Sequence, residues 1–219
     1  MADWVAISSL ATAGGTLVLA GATFASVRSA NRAARAAERS LLAGIRPLLV
    51  TSRQGDPEQK VGFMDAKWFV VAGGRGAAEA TDEAVYLVMS IRKVGSGIGV
   101  LHGWHFYPER RPAGDDHAPL EEFVRLSRDL YIAPGDIGFW QGAFRDPTTA
   151  AFAEAREAID ARRDLTVDIL YGDHEGGQRV VTRCGLLSRP DGSWMATTTR
   201  TGTSTARIPG RTVGLDSEL

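Results

Sequence analysis

Two short runs, Asp115-Asp116-His117 and Asp173-His174-Glu175, carry the side chains best suited to metal-assisted hydrolysis. Carboxylates and imidazoles bind a divalent cation, and the bound cation activates water. Each run is also an ordinary turn sequence, in which acids serve turn geometry and solubility. A hydrolytic site therefore requires the two loops to converge. His102 and His105 stand three apart, which on a strand sends them to opposite faces, the wrong geometry for one ion. Val94–Gly99, VGSGIG, has the glycine content of a phosphate loop. It lacks the Gly-Lys-Ser/Thr ending and leads into strand-forming residues, so no helix N-terminus is available to a phosphate. Its glycines predict a turn or bulge instead. Gly95-Ser96-Gly97 is too short for a nucleophile elbow. No catalytic residue, metal ligand or cofactor is assigned on these patterns.

Trp104, Phe106, Tyr107, Phe139 and Trp140 concentrate aromatic area in the middle of the chain. Alternation sends Trp104 and Phe106 to one sheet face, where they form a sandwich core; left exposed, Trp104, Phe106 and Trp140 would instead be a docking surface for a protein or peptide. The single cysteine, Cys184, has no partner for an internal disulfide. It reads as a small core residue and favours a reducing compartment.

The elements that must position these groups begin at the N-terminus. Trp4 to Val27 is 24 consecutive residues without a charge, about 36 Å of helix against a hydrocarbon core of about 30 Å. Residues 1–27 are expected to be a single-pass transmembrane anchor, with Trp4 at one interface and Arg28 at the other. In helical projection the hydroxyls of this run, including Ser8, Thr12, Thr16 and Thr23, share one arc, and Ile7, Leu10, Leu17 and Phe24 oppose them. Such a face packs against another helix, lines a pore, or bonds its own backbone.

Residues 28–46 are expected to continue the helix, being alanine-rich and unbroken until Gly44 and Pro47. Arg28, Arg32, Arg35, Arg39 and Arg46 fall on one stripe, and Ala30, Ala33, Ala37 and Leu41 on the other. The alanine stripe continues the hydroxyl face, so a single small-residue face would serve homo-oligomer formation or a partner membrane helix. Residues 28–53 hold six arginines and one acid, Glu38, for a net charge of +5, whereas residues 54–219 hold 19 basic and 24 acidic side chains, for −5. The positive-inside rule then places the N-terminus outside the cell membrane and the remainder in the cytoplasm. The acidic balance of that remainder argues against nucleic acid as a partner.

Residues 47–200 change to alternating periodicity. Strands are expected at Leu48–Ser52, Trp68–Val71, Ala84–Ile91, Val100–Tyr107, Phe123–Ile132, Phe139–Gly142, Leu165–Tyr171, Arg179–Leu187 and Trp194–Thr199, with one helix at Ala150–Arg162. Hairpin turns are expected at Gly172–Gly177 and Pro190–Gly192. Consecutive strands with one interposed helix predict a mainly β antiparallel sandwich of Ig-like or Greek-key type. Residues 201–219 read as a flexible tail.

The segment IRKVGSGIGVLHGWHFY, with the earlier RPLLV and the later YGDHEGGQR, resembles a pattern recurring in uncharacterised bacterial membrane-anchored proteins. That resemblance implies a short N-terminal helix followed by a β-sandwich and names no activity. The expected function is a membrane-anchored cytoplasmic interaction or sensing module, assembled through its helix and non-enzymatic. The alternatives are a loop-borne Asp/His metal-dependent hydrolase and an extracytoplasmic binding domain of the same fold.

Overall fold

In the computed structural model residues 3–174 and 178–203 are described, with the side chains of residues 4–11, 127, 129 and 203 outside that description. The chain forms two units, Met1–Gly44 and Ile45–Leu219.

The first unit is one helix, α1 (Trp4–Gly44), of 41 residues, about 62 Å long at 1.5 Å per residue. The apolar run and the arginine/alanine run are thus a single rod. It stops at Gly44, so Arg46 is not on the stripe with Arg28, Arg32, Arg35 and Arg39. From Thr12 to Ser40 every side chain is exposed, those of Ala30 and Ala37 as fully as those of the arginines. Leu17, Val18, Leu19 and Phe24 are each about 70% exposed or more (75, 73, 69 and 69%). Thr16 Oγ1 donates to Thr12 O and Thr23 Oγ1 to Leu19 O, both at 2.8 Å, so these hydroxyls are satisfied by the helix's own backbone. Among the described residues no helix is long and apolar enough to cross a membrane. Ser8 and the Val5, Ile7 and Leu10 side chains of the uncharged run lie outside those residues.

The second unit is mainly β: antiparallel sheets with one helix, consistent with a sandwich. Its elements are β1 (Leu49–Thr51), β2 (Gln59–Gly62), β3 (Trp68–Val71), β4 (Arg75–Ala80), β5 (Val85–Lys93), β6 (Gly99–Tyr107), β7 (Val124–Ile132), β8 (Ile137–Phe144), α2 (Ala150–Asp160), β9 (Leu165–Gly172), β10 (Arg179–Ser188) and β11 (Trp194–Thr203). Nine strands form one sheet in the order β1-β5-β4-β11-β10-β9-β6-β7, with β8 on β5, while β2 and β3 form a separate hairpin. Each expected strand is present. Strands β2 and β4 were not foreseen, and β11 runs past Arg200 to Thr203.

Helix α2 starts where Thr149 Oγ1 accepts the Phe152 amide at 3.3 Å, a side-chain cap. It buries Phe152, Ala155, Ala158 and Ile159. The core joins these to Val85, Leu87, Met89 and Ile91 of β5 and to Val167, Ile169, Cys184 and Leu186 of β9 and β10. The other face of β5, with Tyr86 and Val88, is covered by Val61, Phe63 and Val71 of the hairpin. The Pro190–Gly192 turn forms as expected, Gly192 taking φ 80°, a conformation that suits glycine. In the VGSGIG segment, a Cβ on Gly95 or Gly97 would collide with the carbonyls of Arg46 and Ile45. These glycines allow close backbone approach, and no phosphate cradle results.

Candidate functional site

The site follows from how β7 and β8 fail to meet. They are consecutive in the chain, yet β7 pairs only with β6 and β8 only with β5. Residues along an antiparallel strand alternate the edge to which their backbone groups point. Ser90 O accepts from Ser52 N on the β1 side, while Lys93 N donates to Asp136 O and Lys93 O accepts from Gly135 N on the β8 side. The even-numbered residues of β5 therefore bond toward β1 and β4, and the odd-numbered toward β8. By the register Leu87↔Gly142 and Met89↔Trp140, Trp140 and Gly142 bond to β5, and the amides and carbonyls of Phe139, Gln141 and Ala143 face the open seam.

A groove of about 420 Å³ lies along this seam, within the usual range of ligand sites. One wall is the hairpin, with Phe63, Met64 and Trp68; the other is β7, from Val124 to Arg128; and Gln141, Gly142, Ala143 and Arg145 lie between. Trp104 forms the floor, held edge-to-face by Trp140 at 5.5 Å and by Phe144 at 5.1 Å. Gly142 has no room for a side chain, because a Cβ would come within 3.0 Å of both indoles. Trp68 packs against Gly62, where a Cβ would sit 2.9 Å from the indole, and it remains 67% exposed, with Met64 at 88% and Val70 at 60%.

Among the described residues the lining holds Arg125, Arg128 and Arg145 and no carboxylate. Arg145 is anchored from behind: its Nε is 3.4 Å from Asp65 Oδ2 and its guanidinium is 5.9 Å from the Phe63 ring centre. Asp65 also accepts from Tyr86 Oη at 2.6 Å, and that bond, with burial, pushes the Tyr86 phenol up to about 12. With its amide oriented to satisfy both ends, Gln141 donates to Gly62 O at 3.2 Å and accepts from Arg128 Nη2 at 3.3 Å, spanning hairpin, β8 and β7. Arg179 is lowered by burial and then by repulsion from Arg125, which places a second cation near the β7 wall.

The foreseen aromatic residues are not an exposed surface. Trp140 is fully buried, Trp104 is 2% exposed, and Phe106 packs against the core. Of the three, Trp104 reaches the groove, as its floor, because inward alternation of β6 and β8 buries Trp104 and Trp140 and partly buries Phe106.

The acid–histidine runs have other partners. His117 Nδ1 lies 2.9 Å from Asp168 Oδ2, and Asp168 also accepts from Arg183 Nε and Nη2 at 2.8 and 2.9 Å. Arg183 Nη1 and Nη2 further donate to the carbonyls of Pro112, Asp115 and Asp116, and Arg200 Nη1 to Ala113, Gly114 and Asp115. Two arginines thus strap the 112–117 loop across β9 to β11. Burial alone would raise the Asp168 carboxyl, but the hydrogen bonds from His117 and Arg183 outweigh it and hold it below the ordinary value. A carboxylate so committed has little left for a cation. Asp173 Oδ1 accepts from Gln178 N at 3.2 Å, closing its own hairpin, while Glu175 lies outside the described residues. Among those residues no group of three His, Cys, Asp or Glu side chains is placed to hold a metal.

Comparison with protein-family models, with curated proteins and with solved structures finds no match. The groove's chemistry therefore rests on its own residues. One signal for its lining was present: Arg125, Ser127, Arg128 and Asp129 interrupt the apolar residues of β7, so one side of that strand cannot be core. Asp168 and Arg183 are likewise the lone charges in two apolar runs, the pattern of a buried pair.

Proposed function

We propose that this chain is a membrane-tethered recognition module. The helix α1 anchors it and assembles it, and the cytoplasmic β domain recognises its ligand at the β7–β8 groove without catalysing a reaction. The observation that carries this reading is the exposure of Leu17, Val18, Leu19 and Phe24 on an unbroken 41-residue helix. About 70% of four large apolar side chains in contact with water is costly, and lipid removes that cost.

Satisfied hydroxyls at Thr16 and Thr23 support a helix that tolerates hydrocarbon. The arginines that follow support an orientation with the N-terminus outside and the domain in the cytoplasm. The small-residue face from Ser8 through Thr12, Thr16 and Thr23 to Ala30 and Ala37 supports contact with a second copy or a partner helix.

The test uses the full chain in cell membranes. Retention through alkaline carbonate extraction is expected; release into the supernatant would end the tether. The native Cys184 is buried, so single cysteines can be added without removing it. Ala30→Cys and Ala37→Cys are expected to cross-link several-fold more than Arg32→Cys and Arg39→Cys, and equal cross-linking would end assembly through that face.

A further inference from the structure

We propose that the groove takes an extended acidic peptide segment of a partner protein, which adds as a strand to the free edge of β8. This deepens the recognition reading and rests on it. Three features fit that occupant together. The backbone groups of Gln141 and Ala143 face the seam in the geometry an incoming strand uses, and strand addition draws its affinity from such main-chain bonds. Among the described lining residues Arg125, Arg128 and Arg145 are charged and no carboxylate faces them, so acidic side chains alternating along the segment meet complementary charge. Trp68, packed against Gly62 and two-thirds exposed, offers an apolar surface for a side chain of the segment lying between its acids.

Other occupants match fewer of these features. A second copy of this chain pairing edge to edge would bring the same arginines together, since a two-fold contact is self-complementary. Charged side chains along an open edge are a recognised defence against that self-pairing. A lipid surface would satisfy the arginines but offers nothing to the Gln141 and Ala143 backbone.

The strand chosen is β8 and not β7 because the β6–β7 register is broken. Leu101 faces Leu130 while Gly103 faces Arg125, so the intervening β7 residues bulge away from a regular ladder. The β5–β8 register runs unbroken from Val85↔Phe144 to Arg92↔Ile137, which leaves a straight edge.

The test is fluorescence anisotropy of the full chain in neutral detergent micelles, titrated with a fluorescein-labelled octapeptide alternating glutamate with valine and phenylalanine. Saturable binding is expected, weakened at least tenfold by Arg125→Glu with Arg128→Glu. An analogue N-methylated on alternate amides should bind at least tenfold more weakly, and this arm needs no change to the protein. Ala143→Pro removes an amide that faces the seam and is not bonded to β5, so it should also abolish binding. Equal binding of the N-methylated peptide would overturn strand addition and leave charge adsorption. Equal binding of a lysine-for-glutamate peptide would overturn the acidic preference, and no binding of the glutamate peptide would overturn the proposal. The tether is read separately, since a chain that resists carbonate extraction yet ignores the peptide keeps its anchor and loses only this occupant.

Discussion

Asp168 and Arg183 lie opposite each other on β9 and β10, and the carboxylate takes the guanidinium's Nε and Nη2 at 2.8 and 2.9 Å with neither side chain exposed to solvent. The remaining guanidinium bonds go to loop carbonyls, so the pair fixes the 112–117 strap as well as its own charges. Replacing one partner leaves a buried charge unanswered. Asp168→Asn should cost about 3–5 kcal/mol in urea unfolding, whereas the apolar pair Asp168→Leu with Arg183→Met should cost clearly less than the single change. The carboxyl is held below its ordinary value, so its contribution is fully present above the unfolded value near 3.8. It is lost as pH falls from there through the lower folded value. A stability profile flat from pH 5 down to 2 would contradict this.

Lys93 presents the opposite case. It is fully buried at the end of β5, its Nζ has no hydrogen-bond partner among the described residues, and burial lowers its titration. With a depressed folded value, the unfolded chain binds the proton more readily. Stability from this group therefore falls as pH drops below the unfolded value near 10.5 toward the folded one. Lys93→Met should raise stability at pH 7 by about 1–3 kcal/mol and flatten the alkaline end of the profile. Thermal unfolding at pH 7 and 10 checks both.

Cys184 is 1% exposed, and burial pushes its thiol up to about 12. The thiolate is the reactive form. In native buffer at pH 8 an aromatic disulfide reagent should titrate no thiol within minutes, and one per chain in denaturant. Prompt reaction without denaturant would place Cys184 at the surface.

Gly76 on β4 faces Leu186 and Val88, where a Cβ would lie inside contact distance of the Leu186 methyl and 2.7 Å from Val88 O. Gly76→Ala should destabilise by about 1–3 kcal/mol through overpacking. Gly135→Ala, with open space around it and only the backbone strain of a positive φ of 77° to bear, should cost less.

The strands legible in the sequence are those whose apolar residues alternate or run together, and they form the core. Strand β2, Gln59–Gly62, offers one apolar residue, Val61. Strand β4, Arg75–Ala80, is made of alanine, glycine, arginine and glutamate, types depleted in sheets. Its strand character comes from sitting between β5 and β11, a tertiary fact with no local pattern. The continuous helix through Arg28 was legible in its alanines, but its expected end at 46 lies past the breaker Gly44 at which it stops. The groove was not, because it combines a turn-flanked hairpin, two separated strands and the absence of pairing between them. Nothing in a linear sequence marks where two neighbouring strands decline to pair.

Strand β5 is bonded to β1, β4 and β8 and covered on both faces by separate clusters, whereas β2 and β3 pair as strands only with each other. Amide exchange should divide accordingly: β5 protons leave only when the whole domain opens, and those of the hairpin through a smaller, cheaper opening. On that pattern the wall carrying Met64 and Trp68 should part from the sheet as a foldon of its own while the keel beneath it stays closed.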